Sequence, residues 1–251
     1  MTTASSVVVL EGVTKTFGSG RDSVIALSDV HLDIGKGEFV CLIGASGCGK
    51  STILNLVAGL ERVTAGEVRV AGRVAMMFQE SALFPWLTVA KNIELPMRLA
   101  GRPRNERRQR AADLIRTVHL EGFGDKRPHQ LSGGMRQRAA LARAFAQDAD
   151  ILLMDEPFGA LDAMTRDVLH DELDSLVRER GLTVLFVTHN VREAARLGDR
   201  IVVMSPRPGR IVSDLPVDIE RPRRIDSPAV STLAATVTDR LREEVIVHAR
   251  A

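Results

Sequence analysis

The sequence predicts an α/β fold: a mostly parallel sheet with flanking helices, preceded by an antiparallel β-subdomain. Three observations carry this. Residues 40–43, 151–154 and 184–187 are short apolar runs, the pattern of strands buried on both faces. Each run leads into groups suited to phosphate chemistry: a Gly-rich loop, two adjacent carboxylates and a histidine. Between the runs, apolar residues recur at helical spacing.

Residues 6–40 read as strands and turns. VVVLEGVTKTF alternates imperfectly, GSGRDS is a loop, and ALSDVHLDI alternates again before the GKGE turn. Phe17 is either plain core or a flat platform for an adenine ring.

Residues 39–56, FVCLIGASGCGKSTILNL, read as strand, tight loop and helix. The stretch 44–51 is G-x-x-x-x-G-K-S, whose glycines let backbone N–H groups turn inward around phosphate oxygens. Lys50 would reach the β- and γ-phosphates as a point charge, and Ser51 would offer its hydroxyl to Mg²⁺. The helix from Ser51 points its positive end at the same phosphates. A chance glycine-rich turn needs neither the strand before it nor the helix after it, and both are present. Cys48 is expected to be a small filler with its backbone N–H facing phosphate.

Helix is expected over 51–60. TAGEVRVAGRVAMMFQE predicts a Gly-bounded hairpin and a strand ending at Gln79. From 81 to 99 the pattern loosens, broken by Pro85, Trp86 and Pro96. Arg98, Arg102, Arg104, Arg107, Arg108 and Arg110 follow closely; without interleaved aromatics for bases they read as a solvated helix start. A helix is expected over 104–122, with Leu114, Ile115 and Val118 on one face. LSGGMRQR opens another that runs through Ala146, with Ser132 as N-cap and Gly133 and Gly134 leaving room for a second anion.

Residues 150–156 form a strand ending in Asp155 and Glu156, where ligands bind in open α/β sheets. Strand side chains alternate, so the two carboxylates should point differently: Asp155 toward Mg²⁺ through water, Glu156 toward an attacking water as general base. GALD turns into a helix through Arg180, with Val168, Leu169, Leu173, Leu176 and Val177 inward and Gly181 as its stop. The third apolar strand ends at His189, placed to hydrogen-bond the γ-phosphate and orient water. Residues 191–197 are helical, DRIVVMSPRPGRIVSDLPV is strand, turn and strand, and 227–251 is a surface helix.

Bulk properties exclude little. The chain has 251 residues, 45% hydrophobic and 26% charged, as soluble globular proteins do. A net charge of +2 gives no reason to expect nucleic acid. No apolar run reaches the roughly 18 residues of a membrane span. MTTASSVVVLEG lacks the basic start and apolar core of a secretion signal. Cys41 and Cys48 are expected as free thiols in a reducing cytosol.

Taken together and in this order, the phosphate loop, the strand-end glutamine, LSGGMRQR, ILLMDEP, GALD and the strand-end histidine resemble the ATP-binding subunits of ABC transporters, over residues 8–212. The resemblance implies a P-loop NTPase core with an N-terminal antiparallel β-subdomain and an inserted α-helical subdomain. It implies an ATP-binding domain over 7–226, the helical insert at about 80–145, and a helical tail over 227–251. ATP and Mg²⁺ are the implied cofactors. Gly44, Ala45, Ser46, Gly47, Cys48, Gly49, Lys50, Ser51 and Thr52 would hold the phosphates. Ser51, Gln79 and Asp155 would serve the metal, and Gln79 would also sense the membrane partner. Ser132, Gly133, Gly134 and Gln137 would form the signature, and Asp162 a dimer contact. Catalysis would fall to Glu156 as general base, His189 as switch, and Lys50. Phe17 aligns with an adenine-stacking aromatic that is usually tyrosine; with no Tyr in the chain, the stacking face is kept and the hydroxyl is not. Met135 and Asn190 stand where glutamine and aspartate are more frequent, and neither touches the hydrolytic groups.

The same resemblance implies a head-to-tail homodimer, transmembrane permease subunits, an indirectly coupled solute-binding protein, no nucleic acid, and a place on the cytoplasmic face of the cell membrane. Residues 81–94 would line a groove for a permease helix, with Phe84, Trp86 and Leu87 exposed; the alternative is local core. MMFQESALFPWLTV, MDEPFGALDAMTR and MSPRPGRIV look like the ATPases of nitrate, taurine and aliphatic sulfonate importers, and VDIERPRR leans toward sulfonates. A repair ATPase would carry a coiled coil between Gln79 and Ser132, a translation ATPase two cassettes, and a silent nucleotide binder would lack Glu156 or His189; the sequence meets none of these conditions.

Overall fold

The computed structural model describes residues 6–159 and 161–250, so Ala160 of GALD and the first five residues lie outside the described part. In chain order the elements are β1 (Ser6–Phe17), β2 (Val24–Gly35), β3 (Phe39–Gly44), α1 (Lys50–Val57), β4 (Ala65–Val70), β5 (Val74–Met77), α2 (Val89–Leu99), α3 (Arg104–Thr117), α4 (Gly133–Phe145), β6 (Ile151–Asp155), α5 (Ala163–Arg180), β7 (Thr183–Val187), α6 (Val191–Leu197), β8 (Arg200–Met204), β9 (Ile211–Pro216) and α7 (Pro228–Arg250). They fall into two compact units: residues up to Gly72 with those from Leu182 onward, and residues from Arg73 to Gly181.

The first unit has two sheets. β2, β1 and β4 pair antiparallel in that order. β1 buries Val8, Leu10 and Val13, and its register shift after Leu10 explains the imperfect alternation of its sequence. β7, β3 and β8 pair in parallel, and β9 closes the edge antiparallel to β8. Every residue of β7, and β3 up to Ile43, is buried, as two covered sheet faces require. Helices α1 and α6 pack on β3, and Phe39 meets Phe186 with ring centroids 5.6 Å apart. The tail is helical as expected; α7 packs on α6 and buries Val230, Ala234 and Val237.

The second unit pairs β5 with β6 in parallel and packs α2, α3 and α4 together, α4 also meeting β5. Here several expectations change. The Gly-bounded hairpin does not form: β4 joins β1, whereas β5 joins β6. Gly72, at φ 135°, turns the chain between two sheets rather than between two paired strands. The broken-looking stretch before Leu99 contains α2, capped by Thr88, which accepts from Lys91 N–H at 3.3 Å. Its buried Val89, Ile93 and Met97 recur every four residues, and this packing outweighs Pro96 in the last turn. α3 stops at Thr117, five residues early, because His119 adopts φ 51°. On α5, Val168 is 46% exposed, and the inward face is Leu169, His170, Leu173 and Val177.

Candidate functional site

The phosphate loop leaves β3 at Gly44 and enters α1 at Lys50. Gly49, at φ 100°, has no room for a side chain: a Cβ there would lie 2.5 Å from a Leu27 methyl. The first intrahelical bond runs from Ile53 N–H to the Gly49 carbonyl, 3.0 Å, so the amides of Lys50, Ser51 and Thr52 have no helical acceptor and suit an anion. Lys50 is nearly buried, and its ammonium donates to the carbonyls of Gly44 at 2.9 Å and Ala45 at 3.0 Å. Cys48 is a filler, fully buried, but its N–H does not face outward as expected; it donates to the Ala45 carbonyl at 3.3 Å, closing a turn inside the loop. Burial pushes the Cys48 thiol up against the opposing pull of Lys50, and pushes Cys41 up further.

In the same unit, Phe17 ends β1 with its ring 41% exposed. One ring face carries the Lys15 ammonium, 4.6 Å from the centroid, and that ammonium is held by Glu61 at 2.8 Å. His189 follows β7 and is exposed. Its neighbours are fixed: Asn190 N–H donates to Thr188 Oγ1 at 3.0 Å, and Asn190 Oδ1 caps α6 by accepting from Arg192 and Glu193 N–H at 3.1 and 3.3 Å.

The second unit holds the other residues singled out. Asp155 is buried at the end of β6. Glu156 lies beyond the strand, at φ 45°. The step from Asp155 to Glu156 is therefore a left-handed break in the backbone, where strand alternation was expected. Gln79 Nε2 donates to Glu156 Oε2 at 3.5 Å. Ser132 caps α4, accepting from Met135 N–H at 3.2 Å, with Gly133 and Gly134 in the first turn and Gln137 buried on the next. Asp162 caps α5: its carboxylate accepts from Thr165 N–H at 3.0 Å and Thr165 Oγ1 at 2.8 Å. These bonds hold the Asp162 carboxyl below the usual carboxylate range. Among the described residues, no three His, Cys, Asp or Glu side chains gather as a metal cage.

Sequence reasoning missed two features of this unit. Asn92 is fully buried on α2 and shapes the loop before it: its Oδ1 accepts from Phe84 N–H at 2.8 Å, and its Nδ2 donates to the carbonyls of Phe84, Leu87 and Thr88 at 3.0–3.2 Å. The loop and α2 also form an open groove of about 570 Å³, with Phe84, Trp86, Leu87 and Leu95 in its lining. Trp86 is 67% exposed and tilts against Phe84, which answers the local-core alternative for this pair. Lys91, Arg98, Arg104, Arg107 and Arg108 line the same groove, with Glu94 the one carboxylate. Arg98, Arg104 and Arg108 are exposed, as a solvated helix start requires, and they also border this groove. Arg102 is neutralised by Glu106 and Asp148, whereas Arg98, Arg104 and Arg108 have no carboxylate partner among the described residues.

Comparison with known proteins agrees with this geometry. Residues 27–159 match the family described as ABC transporter. The chain is similar to the taurine import ATP-binding protein of Rhizobium johnstonii, 43% identical over 236 residues covering 90% of each chain. It is similar to the aliphatic sulfonates import ATP-binding protein of Bacillus licheniformis, 42% identical over 231 residues covering 89% of each. It also resembles a solved dimeric ATP-binding cassette in a post-hydrolysis state bound to ADP and Pi, with TM-score 0.79 and 36% identity, over 85% of this chain and all of that one.

Proposed function

The chain belongs to the ABC transporter family as an ATPase, and from that premise we propose that it energises import of a small organic anion, an aliphatic sulfonate before taurine or nitrate. The observation that carries the importer reading is the identity above 40% along nine-tenths of the chain to import ATP-binding proteins. The VDIERPRR stretch favours sulfonate; the taurine relative, equally similar, keeps taurine as the second reading.

In this reading residues 7–226 are the ATP-binding domain, about 80–145 its helical insert, and 227–251 a tail. Residues 44–52 seat the phosphates of ATP. The Lys50 ammonium exchanges its loop carbonyls for phosphate oxygens, and the Ala45 carbonyl keeps the Cys48 N–H when it does. Phe17 offers its free ring face to adenine. Ser51, Gln79 and Asp155 suit Mg²⁺, which in nucleotide sites uses few protein oxygens alongside phosphates and water. When bound, Mg²⁺ neutralises charge that develops on the phosphates. Glu156 accepts the proton of the attacking water, and His189 orients at the γ-phosphate.

The likeness to a dimeric cassette supports a head-to-tail pair of identical chains, the Ser132, Gly133, Gly134 and Gln137 signature of one copy and Asp162 facing the other's ATP. The aromatic groove suits a cytoplasmic helix of the permease, through which a solute-binding protein is coupled. As the ATPase of an importer, this subunit would sit peripherally on the cytoplasmic face of the membrane, where ATP is; no described helix is long and apolar enough to cross it.

The test is uptake of labelled alkanesulfonate, taurine and nitrate in a deletion strain carrying wild type or Glu156→Gln. Sulfonate uptake restored by wild type alone supports the reading; undiminished uptake of all three in the deletion strain refutes the solute assignment.

A further inference from the structure

The phosphate loop has a neighbour that its motif does not contain. The turn between β8 and β9, Ser205-Pro206-Arg207-Pro208-Gly209-Arg210, is laid against it. A Cβ on Gly209 would lie 2.0 Å from the Cys48 carbonyl oxygen, so only glycine lets this turn come so close. Gly209 N–H donates to the Ala26 carbonyl at 2.9 Å, and the Gly209 carbonyl accepts from Ser28 N–H at 3.0 Å. The turn is also braced internally, since Ser205 Oγ accepts from Arg210 N–H at 3.0 Å and donates toward the carbonyls of Pro206 and Pro208. The Arg210 guanidinium is spent on Ser28 Oγ, 3.3 Å away.

Arg207 sits on this fixed turn and is used differently. A Cβ built on Gly47 would lie 3.5 Å from Arg207 Nη2, so the guanidinium lies beside the glycine in the middle of the loop. Arg207 is exposed, and it makes no hydrogen bond or ion pair with another described residue. A free guanidinium is thus held over a loop whose backbone is shaped for phosphate. Its planar fork can take two phosphate oxygens in one fixed bidentate geometry, where an ammonium acts as a point charge.

We propose that Arg207 is a second phosphate-binding cation of the ATP site, beside Lys50, and that the β8–β9 turn forms one wall of that site. The proposal rests on residues 44–52 being the phosphate loop.

The test uses the full chain and four variants: Arg207→Lys, Arg207→Ala, Arg207→Glu, and Lys50→Ala as reference. Equilibrium binding of ATP, KM and kcat for ATP, and melting of the nucleotide-free protein are measured for each. Loss of a charged hydrogen bond should raise Kd and KM about tenfold in Arg207→Ala, more in Arg207→Glu and less in Arg207→Lys, with kcat within about twofold and melting unchanged. ATP affinity in Arg207→Ala within twofold of wild type overturns the proposal. So does equal weakening by all three substitutions, which would mark a structural role, or intact ATP affinity with lost dimerisation, which would assign Arg207 to the partner copy. If Lys50→Ala also binds ATP normally, the phosphate-loop reading itself has failed.

Discussion

The Lys50 ammonium donates to the Gly44 carbonyl at 2.9 Å, so a cation meant for phosphate is held by the loop it springs from. The Ala45 carbonyl takes a second bond, and the side chain is nearly buried. The charge is thereby aimed before any ligand arrives, and little rotamer entropy remains to be lost on binding. Lys50→Ala should weaken ATP binding roughly 10- to 100-fold, the worth of one charge-assisted hydrogen bond. Calorimetric titration with ATP checks this; an unchanged affinity would mean that residues 44–52 are not where the phosphates sit.

Glu156 makes a second prediction, on chemistry rather than binding. Its φ of 45° takes it off β6, and Gln79 meets its carboxylate at 3.5 Å. Glutamine keeps the size and a carbonyl acceptor but cannot take a proton. Glu156→Gln should keep ATP affinity while phosphate release falls by about 10² to 10⁴, as expected when a general base is removed. The ATP-bound variant should elute as a dimer on gel filtration. Wild-type turnover in this variant would move the base elsewhere.

Much of this was legible in the sequence because it rests on local rules. Apolar runs ending in glycines or carboxylates mark β3 and β6, and Ser132 caps α4 as expected. What was not legible depends on partners far along the chain. Whether β4 pairs with β1 or β5 is decided by which sheet it enters, and nothing in GEVRVAGRVAMM records that. Pro96 hid α2, because propensity cannot see that Val89, Ile93 and Met97 are packed. His170 reads as a polar interruption of α5, yet it is buried with its ring edge-on to Phe158 at 4.9 Å. The left-handed turn at Glu156 has no glycine to announce it.

Asn92 supports a prediction about stability. Its carboxamide satisfies Phe84 N–H and three carbonyls of the loop from Phe84 to Thr88. Asn92→Leu keeps the branched shape but strips Phe84 N–H and the Leu87 carbonyl of their side-chain partner, while the Phe84 and Thr88 carbonyls keep the Leu87 and Asn92 N–H groups; the cost is about 2–4 kcal/mol. For a chain of this size that lowers the melting temperature by roughly 5–15 °C. Scanning calorimetry would measure it, and a shift under 2 °C would mean the loop is not templated by Asn92.

The two thiols predict an alkaline limit. Burial raises both Cys41 and Cys48 above the ordinary thiol value of 9.0. In the unfolded chain they ionise near that value, while in the folded chain they stay protonated. Stability from this source is therefore full below pH 9 and falls as pH rises above it, since only the unfolded state releases the protons. Urea melts at pH 8 and pH 10 should show the loss, and replacing both cysteines with alanine should reduce that difference. Disulfide exchange reagents should leave the native thiols largely unreacted at pH 8.

The groove beside α2 supports the last prediction, because its two chemistries point at one kind of partner. Phe84, Trp86, Leu87 and Leu95 offer apolar surface, and Lys91, Arg98, Arg104, Arg107 and Arg108 border it against a single carboxylate, Glu94. The Arg107 Nε–H is buried with no hydrogen-bond partner, and its carboxylate neighbour is 3.9 Å from that atom. An amphipathic helix with carboxylates along its flanks would satisfy both features, whereas a basic one would be repelled. Arg104→Glu combined with Arg108→Glu should therefore leave ATP turnover by the isolated subunit unchanged. In the assembled transporter the same pair should cut transport-coupled turnover about tenfold or more, the scale of a few exposed charge contacts acting together. The wild-type assembly should loosen with added salt, because rim charges act mainly through long-range attraction. Trp86 is the only tryptophan in the chain, so its emission reports occupancy of the groove directly. Coupled turnover unaffected by the double reversal would mean that the arginines serve solubility and that the aromatic floor alone receives the partner.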